Sequence, residues 1–347
     1  MRKGLSARSW LTVITLVLLG VVIFFAQGQI LKAWELIGSI NLWILALLIP
    51  VQFFSYYATG GMIFSYLRSK GDLRDVSHWR MARFALELNF VNHVLPSGGA
   101  AGFSYLGWLL NKYKVSVART TMAQIVRFAL TFISFVLLLM VAVTMLILDH
   151  RIDRVILLIC VGLGVVATGA IVAGVLILEN KKRLESFSAW TTRFINRIVA
   201  KVTRGRKRKI LKDSIILNFF SELHEDYLAI RRDRRILIKP FIWAVLANVA
   251  DVVLIWIAFW SLGYMINPAL LFVAFGIASL AGGISAIPGG AGVYETIMIT
   301  FLASSQVPAE VAIAGTLLAR VTLVLGTVLF GYLFYQLTIN KYGKRTT

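Results

Sequence analysis

Long runs without a charged side chain set the pattern of this chain. Residues 9–26, 37–67, 155–178 and 241–250 contain no Asp, Glu, Lys or Arg. A helix crossing the hydrocarbon of a bilayer needs about 20 apolar residues, and several of these runs supply them. The pattern predicts full spans at about 9–26, 37–66, 117–148, 155–178, 236–262 and 308–337. Pro50 is expected to kink the second of these. The first run has a basic start like that of a signal peptide, but further apolar segments follow, which favours a retained span. Two other stretches are long enough to span yet are broken. Residues 81–110 are cut by Pro96-Ser97-Gly98-Gly99, and the apolar region 267–303 by Pro288-Gly289-Gly290. The expected fold class is an all-α polytopic membrane protein with about six full spans and two broken or re-entrant helical segments.

Polar positions then divide the chain. Residues 9–178 form a first membrane half, 179–235 a basic loop and 236–337 a second membrane half, all within a single transmembrane domain covering 1–347. Between Glu179 and Lys239 lie seventeen Lys or Arg against seven Asp or Glu. Within that loop Ile216, Phe220, Leu223, Tyr227 and Ile230 recur at threes and fours. That spacing predicts an amphipathic helix, lying in the interface plane or packed beneath the bundle. Cytoplasmic loops of membrane proteins carry the excess of Lys and Arg. The N-terminus, residues 68–80, the basic loop and the C-terminal tail are therefore expected in the cytoplasm. These assignments agree only if the first broken segment enters and leaves from the cytoplasmic side and the second from the outside. Paired breaks in corresponding positions of two halves point to an inverted-repeat transport fold with its site at the repeat interface.

Composition supports the membrane reading and narrows the partners. Of 347 residues, 59% are apolar and only 15% charged, where a soluble domain carries about a quarter. Half of the net charge of +20 sits in the loop, where it suits anionic lipid rather than nucleic acid. Interleaved aromatics or a nucleic-acid reading module are not evident. The single cysteine, Cys160, excludes an internal disulfide and a cysteine metal cluster. The four histidines are scattered, so no cofactor or metal is expected. The sequence also lacks a phosphate-binding Gly-Lys-Ser/Thr loop and a serine-nucleophile elbow.

The candidate chemistry gathers at the breaks. Non-helical backbone inside hydrocarbon is tolerated only where protein or water surrounds it. Gly98, Gly99, Gly289, Gly290 and Gly292 would let a helix or ligand approach the backbone, and each serves equally for packing alone. Arg127 follows Pro96 by 31 residues and Arg320 follows Pro288 by 32. Each arginine lies in an apolar run, where an unpaired one costs roughly 2.5–3.5 kcal/mol. Both should face the bundle interior and find an acceptor, with Glu87, Glu295 and Asp251 the candidates. Asn89, Asn92 and His93 precede the first break and are polar for that depth.

The run Glu87-Leu88-Asn89-Phe90-Val91-Asn92-His93-Val94-Leu95-Pro96-Ser97-Gly98-Gly99, with Arg127, carries one half of a resemblance. The run from Ala286 through Pro288-Gly289-Gly290-Ala291-Gly292 to Glu295, with Arg320, carries the other. Together they resemble the flippase-like transmembrane domain of lysylphosphatidylglycerol synthases, over roughly residues 8 to 340. The resemblance implies a multi-pass protein of the bacterial or archaeal cytoplasmic membrane. It places Glu87, Asn89, Asn92, Pro96, Gly98, Gly99 and Arg127 in one half of a substrate-binding or transport core. Pro288, Gly289, Gly290, Gly292, Glu295 and Arg320 form the other half. It also implies a stand-alone member without the soluble aminoacyltransferase domain, and so not an enzyme.

The leading expectation is a lipid transporter or flippase that moves a polar phospholipid or lipid-linked headgroup between leaflets. Asp251 is the candidate proton carrier. Expected partners are a phospholipid substrate, anionic lipids at the basic loop, and a second copy or an envelope enzyme. The rival readings are a membrane-embedded lipid-modifying transferase, a non-transporting envelope scaffold, and a small-solute transporter.

Overall fold

The computed structural model describes residues 40–94, 100–149, 154–179, 186, 213–284 and 290–342. Among these residues the fold is all helical, with no strand. In chain order the helices are α1 (Leu42–Ala46), α2 (Leu48–Ser69), α3 (His78–Val94), α4 (Ala100–Asn111), α5 (Val117–Leu148), α6 (Arg154–Glu179), α7 (Asp213–Arg232), α8 (Ile238–Ser261), α9 (Pro268–Ile284), α10 (Val293–Ser304) and α11 (Ala309–Tyr342).

Five helical stretches of the described chain are long and apolar enough to cross a membrane, not six: 42–69, 117–148, 157–177, 234–261 and 309–342. The run at 9–26 lies outside the described residues. The helical part of the second expected span begins later than its charge-free run, because Asn41 caps it, accepting from the backbone of Trp43 and Ile44. The interruption predicted from Pro50 falls three residues upstream. Proline has no N–H to bond the carbonyl of Ala46, and the chain divides into α1 and α2 at Leu47.

Each broken segment forms two short helices packed on one another: α3 on α4, and α9 on α10. In the first pair Tyr105 reaches Glu87 and Gly102 abuts Asn92, the register of an antiparallel hairpin. In the second pair Gly290 abuts Gly282, where a Cβ would meet the Gly282 backbone at 2.7 Å. Gly290 has φ 68° and Gly292 φ 84°, a left-handed backbone that glycine adopts without strain. In both hairpins the first helix has 17 residues and the second 12. Those lengths are about 25 and 18 Å, short of a hydrocarbon layer of about 30 Å.

Most of the buried core falls into two clusters, one around each hairpin. The first gathers Leu88, Phe90, Leu106 and Leu109 with Met122 to Leu130 of α5 and Ala244 and Ala247 of α8. The second gathers Leu271, Val273, Met298 and Leu302 with Phe135 to Leu146 of α5 and Val252 to Phe259 of α8. The hairpins therefore occupy opposite ends of the bundle, since each core uses a different half of the same two long helices. Asn248 of α8 joins the halves by donating to Ser134 Oγ and the Thr131 carbonyl of α5, at 2.5 and 3.0 Å.

Around these cores the long helices turn apolar side chains outward. Leu158, Val161, Val165 and Val166 on α6 are exposed, as are Met140, Leu148 and Leu329. Exposed apolar surface on this scale is stable against lipid tails rather than water. Gly162, Gly164, Gly169 and Gly174 have no neighbour within 4 Å of a Cβ position, so this glycine-rich face does not pack helices within the described chain. Cys160 is buried as apolar filler.

The amphipathic helix of the basic loop is α7, and it packs beneath the bundle. Leu223 is buried in the first core, with Phe219, Tyr227 and Ile230 against it. On the same helix Asp226 is buried and lies 3.4 Å from Lys70 and 3.6 Å from Arg119. The side chains of Ile216 and Phe220 lie outside the described set.

Candidate functional site

Glu87 is completely buried on α3, one turn from Arg83, and the i,i+4 spacing brings the two side chains together at 2.8 Å. Arg83, not Arg127, is its counter-ion. Three further bonds hold the node. Tyr105 of α4 donates to one carboxylate oxygen at 2.5 Å and Thr338 of α11 to the other at 2.7 Å. Arg83 also donates to the Phe334 carbonyl at 3.1 Å. A buried carboxylate is tolerable when paired and hydrogen-bonded on both oxygens, as here. The node ties both helices of the first hairpin to α11.

Glu295 serves the second hairpin in the same way. As the third residue of α10 it accepts from the Gly292 backbone N–H at 2.6 Å, satisfying one of the free donors that begin a helix. Its other oxygen lies 2.9 Å from Arg320 Nε on α11. The guanidinium also covers the ring of Tyr294, 4.8 Å from its centre. Of the three candidate acceptors, Glu87, Glu295 and Asp251, it is Glu295 that lies against Arg320.

Arg127 is different. It makes no ion pair among the described residues, and its buried Nε has no hydrogen-bond partner there. The guanidinium lies over the ring of Phe128 at 4.4 Å, and that ring stacks on Phe103 of α4 at 5.7 Å. Two more side chains share its condition among the described residues: Gln124, 1% exposed, has neither end of its amide bonded, and Thr120, fully buried, has an unbonded hydroxyl. Thr120, Gln124 and Arg127 stand at i, i+4 and i+7 on one face of α5. From the start of α5 they stand at depths of about 4, 10 and 15 Å. Asn92, on the first hairpin, adds a buried and unpartnered Oδ1. Each such group costs about 1–3 kcal/mol, and with the Tyr66 hydroxyl on α2 five side chains in the first half carry one, which calls for a reason.

The remaining candidates divide simply. Asn89 donates back to the Ala85 carbonyl of its own helix at 3.0 Å. Asp251 lies where α2 meets α8 and accepts from Ser55 at 2.6 Å. Pro96, Gly98, Gly99, Pro288 and Gly289 lie outside the described residues, as does the His93 side chain. Sequence reasoning passed over Arg83, Tyr105, Thr338, Thr120 and Gln124. The available signals were the i,i+4 spacing of Arg83 to Glu87, and two polar residues in register with Arg127. No group of three His, Cys, Asp or Glu side chains placed to hold a metal occurs among the described residues.

Two membrane proteins labelled UPF0104 resemble the chain. One, from Methanocaldococcus jannaschii, is 31% identical over 103 residues, 29% of this chain and 30% of the relative. The other, from Methanothermobacter thermautotrophicus, is 21% identical over 234 residues, 66% of this chain and 67% of the relative. The first match thus spans less than a third of that relative's length. The model of the lysylphosphatidylglycerol synthase TM region matches residues 10–331. With nearly its whole length matched, and with multi-pass helices and two paired hairpins, the chain belongs to the lysylphosphatidylglycerol synthase TM region family, a flippase-like membrane domain.

Proposed function

We infer that the chain, a flippase-like lipid-transport domain by family, moves a phosphate-bearing lipid headgroup between leaflets along the polar face of α5. One observation carries this reading: Thr120 and Gln124, both buried, and half-buried Arg127 form a ladder beside a hairpin in the membrane, and their hydroxyl, amide and Nε have no hydrogen-bond partner among the described residues. A cation, an amide and a hydroxyl at steps of about 5 Å suit a headgroup that carries both a negative phosphate and hydroxyl or amino groups. The acyl tails stay among the exposed apolar side chains of the long helices while the headgroup steps inward.

An inverted repeat supplies the alternation. The order long helix, 17-residue helix, 12-residue helix, long helix occurs twice, as α2 to α5 and as α8 to α11. The packing matches when the halves are exchanged: α3 lies on α11 as α9 lies on α5, α2 on α5 as α8 on α11, and α2 on α8. With residues 9–26 as a further span, both termini and the basic loop sit in the cytoplasm. The first hairpin then opens inward and the second outward. Rocking of one half against the other would open the headgroup path to each side in turn.

The test is leaflet exchange of labelled anionic, zwitterionic and aminoacylated phospholipids in liposomes. Arg127→Ala, checked for folding, should slow exchange at least tenfold for headgroups bearing phosphate. Exchange that proceeds at the wild-type rate in Arg127→Ala, or no exchange by the wild type under a proton or sodium gradient, would overturn the reading.

A further inference from the structure

A second polar feature lies away from the α5 ladder. Where α2 ends and α3 and α8 begin, a cavity of about 330 Å³ opens between the three helices. Arg68, His78 and Lys239 line it together with Phe64, Met81 and Trp243, and no carboxylate does. The turn after α2 fixes the arginine. Its guanidinium donates to the carbonyl of Val76 at 2.5 Å and, from Nη1, to Nε2 of His78 at 3.1 Å. Tyr57 lies 3.3 Å from the other nitrogen of that ring.

The charge here is uncompensated. Nearby Lys70 and Arg119 have Asp226 and Asp72 as partners, whereas Arg68 and Lys239 take part in no ion pair among the described residues. Arg68 stands at the end of the 42–69 span and Lys239 near the start of the 234–261 span, which places both at the level of a membrane interface. Trp243, one turn beyond Lys239, is the amphipathic ring such a level favours. On the same two helices Ile238, Ile242 and Phe54 are exposed and apolar, a surface for acyl tails. The close fit of α2 against α8 comes from Gly61, where a Cβ would meet the Trp243 ring at 2.6 Å.

We propose that this cavity binds the headgroup of an anionic phospholipid, with its phosphate between Arg68 and Lys239 and its tails along α2 and α8. Basic pockets between transmembrane helices take anionic headgroups on the cytoplasmic side, where such lipids concentrate. Free phosphate offers the same charge, but the apolar wall and the exposed apolar side chains of α2 and α8 favour the lipid. The site lies on the seam between α2 and α8 rather than on α5, and it holds lipid whether or not the lipid is moved.

The experiment is native mass spectrometry of the full chain in detergent, titrated with phosphatidylglycerol, phosphatidylcholine or inorganic phosphate. Phosphatidylglycerol should be retained in preference to phosphatidylcholine. Lys239→Ala, an exposed side chain with no ion pair to lose, should weaken retention about fivefold, the effect of one basic residue near a membrane surface. Lys239→Glu should weaken it further, and Arg68→Gln should weaken it in parallel. Equal retention of both lipids, or retention unchanged in Lys239→Ala and Lys239→Glu, would overturn the proposal. Displacement of phosphatidylglycerol by an equal concentration of inorganic phosphate would refute the lipid assignment. Retention without leaflet exchange would sink the transport reading and leave this site standing.

Discussion

Two arginines at matching distances from two breaks do opposite things. Arg320 is committed to Glu295, so removing it strands a carboxylate that is 4% exposed. Arg320→Ala should cost about 3–5 kcal/mol of stability, read from unfolding in detergent, and a second change of Glu295→Gln should recover part of it. The ladder on α5 should behave in the reverse sense. Gln124→Leu removes two unpartnered buried atoms, so it should leave the protein as stable or more stable by about 1–3 kcal/mol while leaflet exchange falls. A loss of stability in Gln124→Leu would mean that the amide is structural. Residue type and position made Arg320 and Glu295 visible as candidates in the sequence, though not as each other's partner. They did not reveal that Glu87 turns to Arg83, because an arginine beside a charged turn looks like one more surface charge. Thr120 and Gln124 escaped for a related reason: uncharged polar residues in an apolar run draw little attention until their burial is known.

Helices reflect how strongly local patterning constrains each part. The long spans were legible because apolar length alone selects them in a bilayer, and the broken segments were legible from proline and glycine in the middle of such runs. The α1–α2 division was visible through Pro50, though only to within a turn. Periodicity alone left α7 with two places, in the interface or beneath the bundle. Its polar face decides the matter, because Asp226 is buried between Lys70 on the turn after α2 and Arg119 on α5. Asp226→Ala should therefore loosen α7 without unfolding the bundle. Hydrogen exchange is expected to speed up at the amides of residues 213–232 and to stay unchanged in α5 and α8. Slow exchange persisting in α7 would show that Leu223 and its apolar neighbours hold the helix unaided.

Across the whole molecule, the seam between α2 and α8 is where the two halves meet, and Ser55 and Asp251 touch across it. With Cys160→Ser as background, Ser55→Cys combined with Asp251→Cys places two thiols within reach of a disulfide. If the halves rock at this seam, the oxidised protein should exchange lipid at least tenfold more slowly than the same protein reduced. Equal rates would locate the motion elsewhere, and comparing two redox states of one variant removes any effect of losing Asp251. Both hairpins are clasped by polar side chains of α11, through Arg320 for the second and Thr338 for the first. Those residues are 18 positions apart, five turns of helix, so both clasps lie on one side of a single rod. One residue inserted or deleted between them would swing one clasp about 100° out of line with the other. Relatives should therefore keep the number of residues in this stretch unchanged, even where its side chains differ.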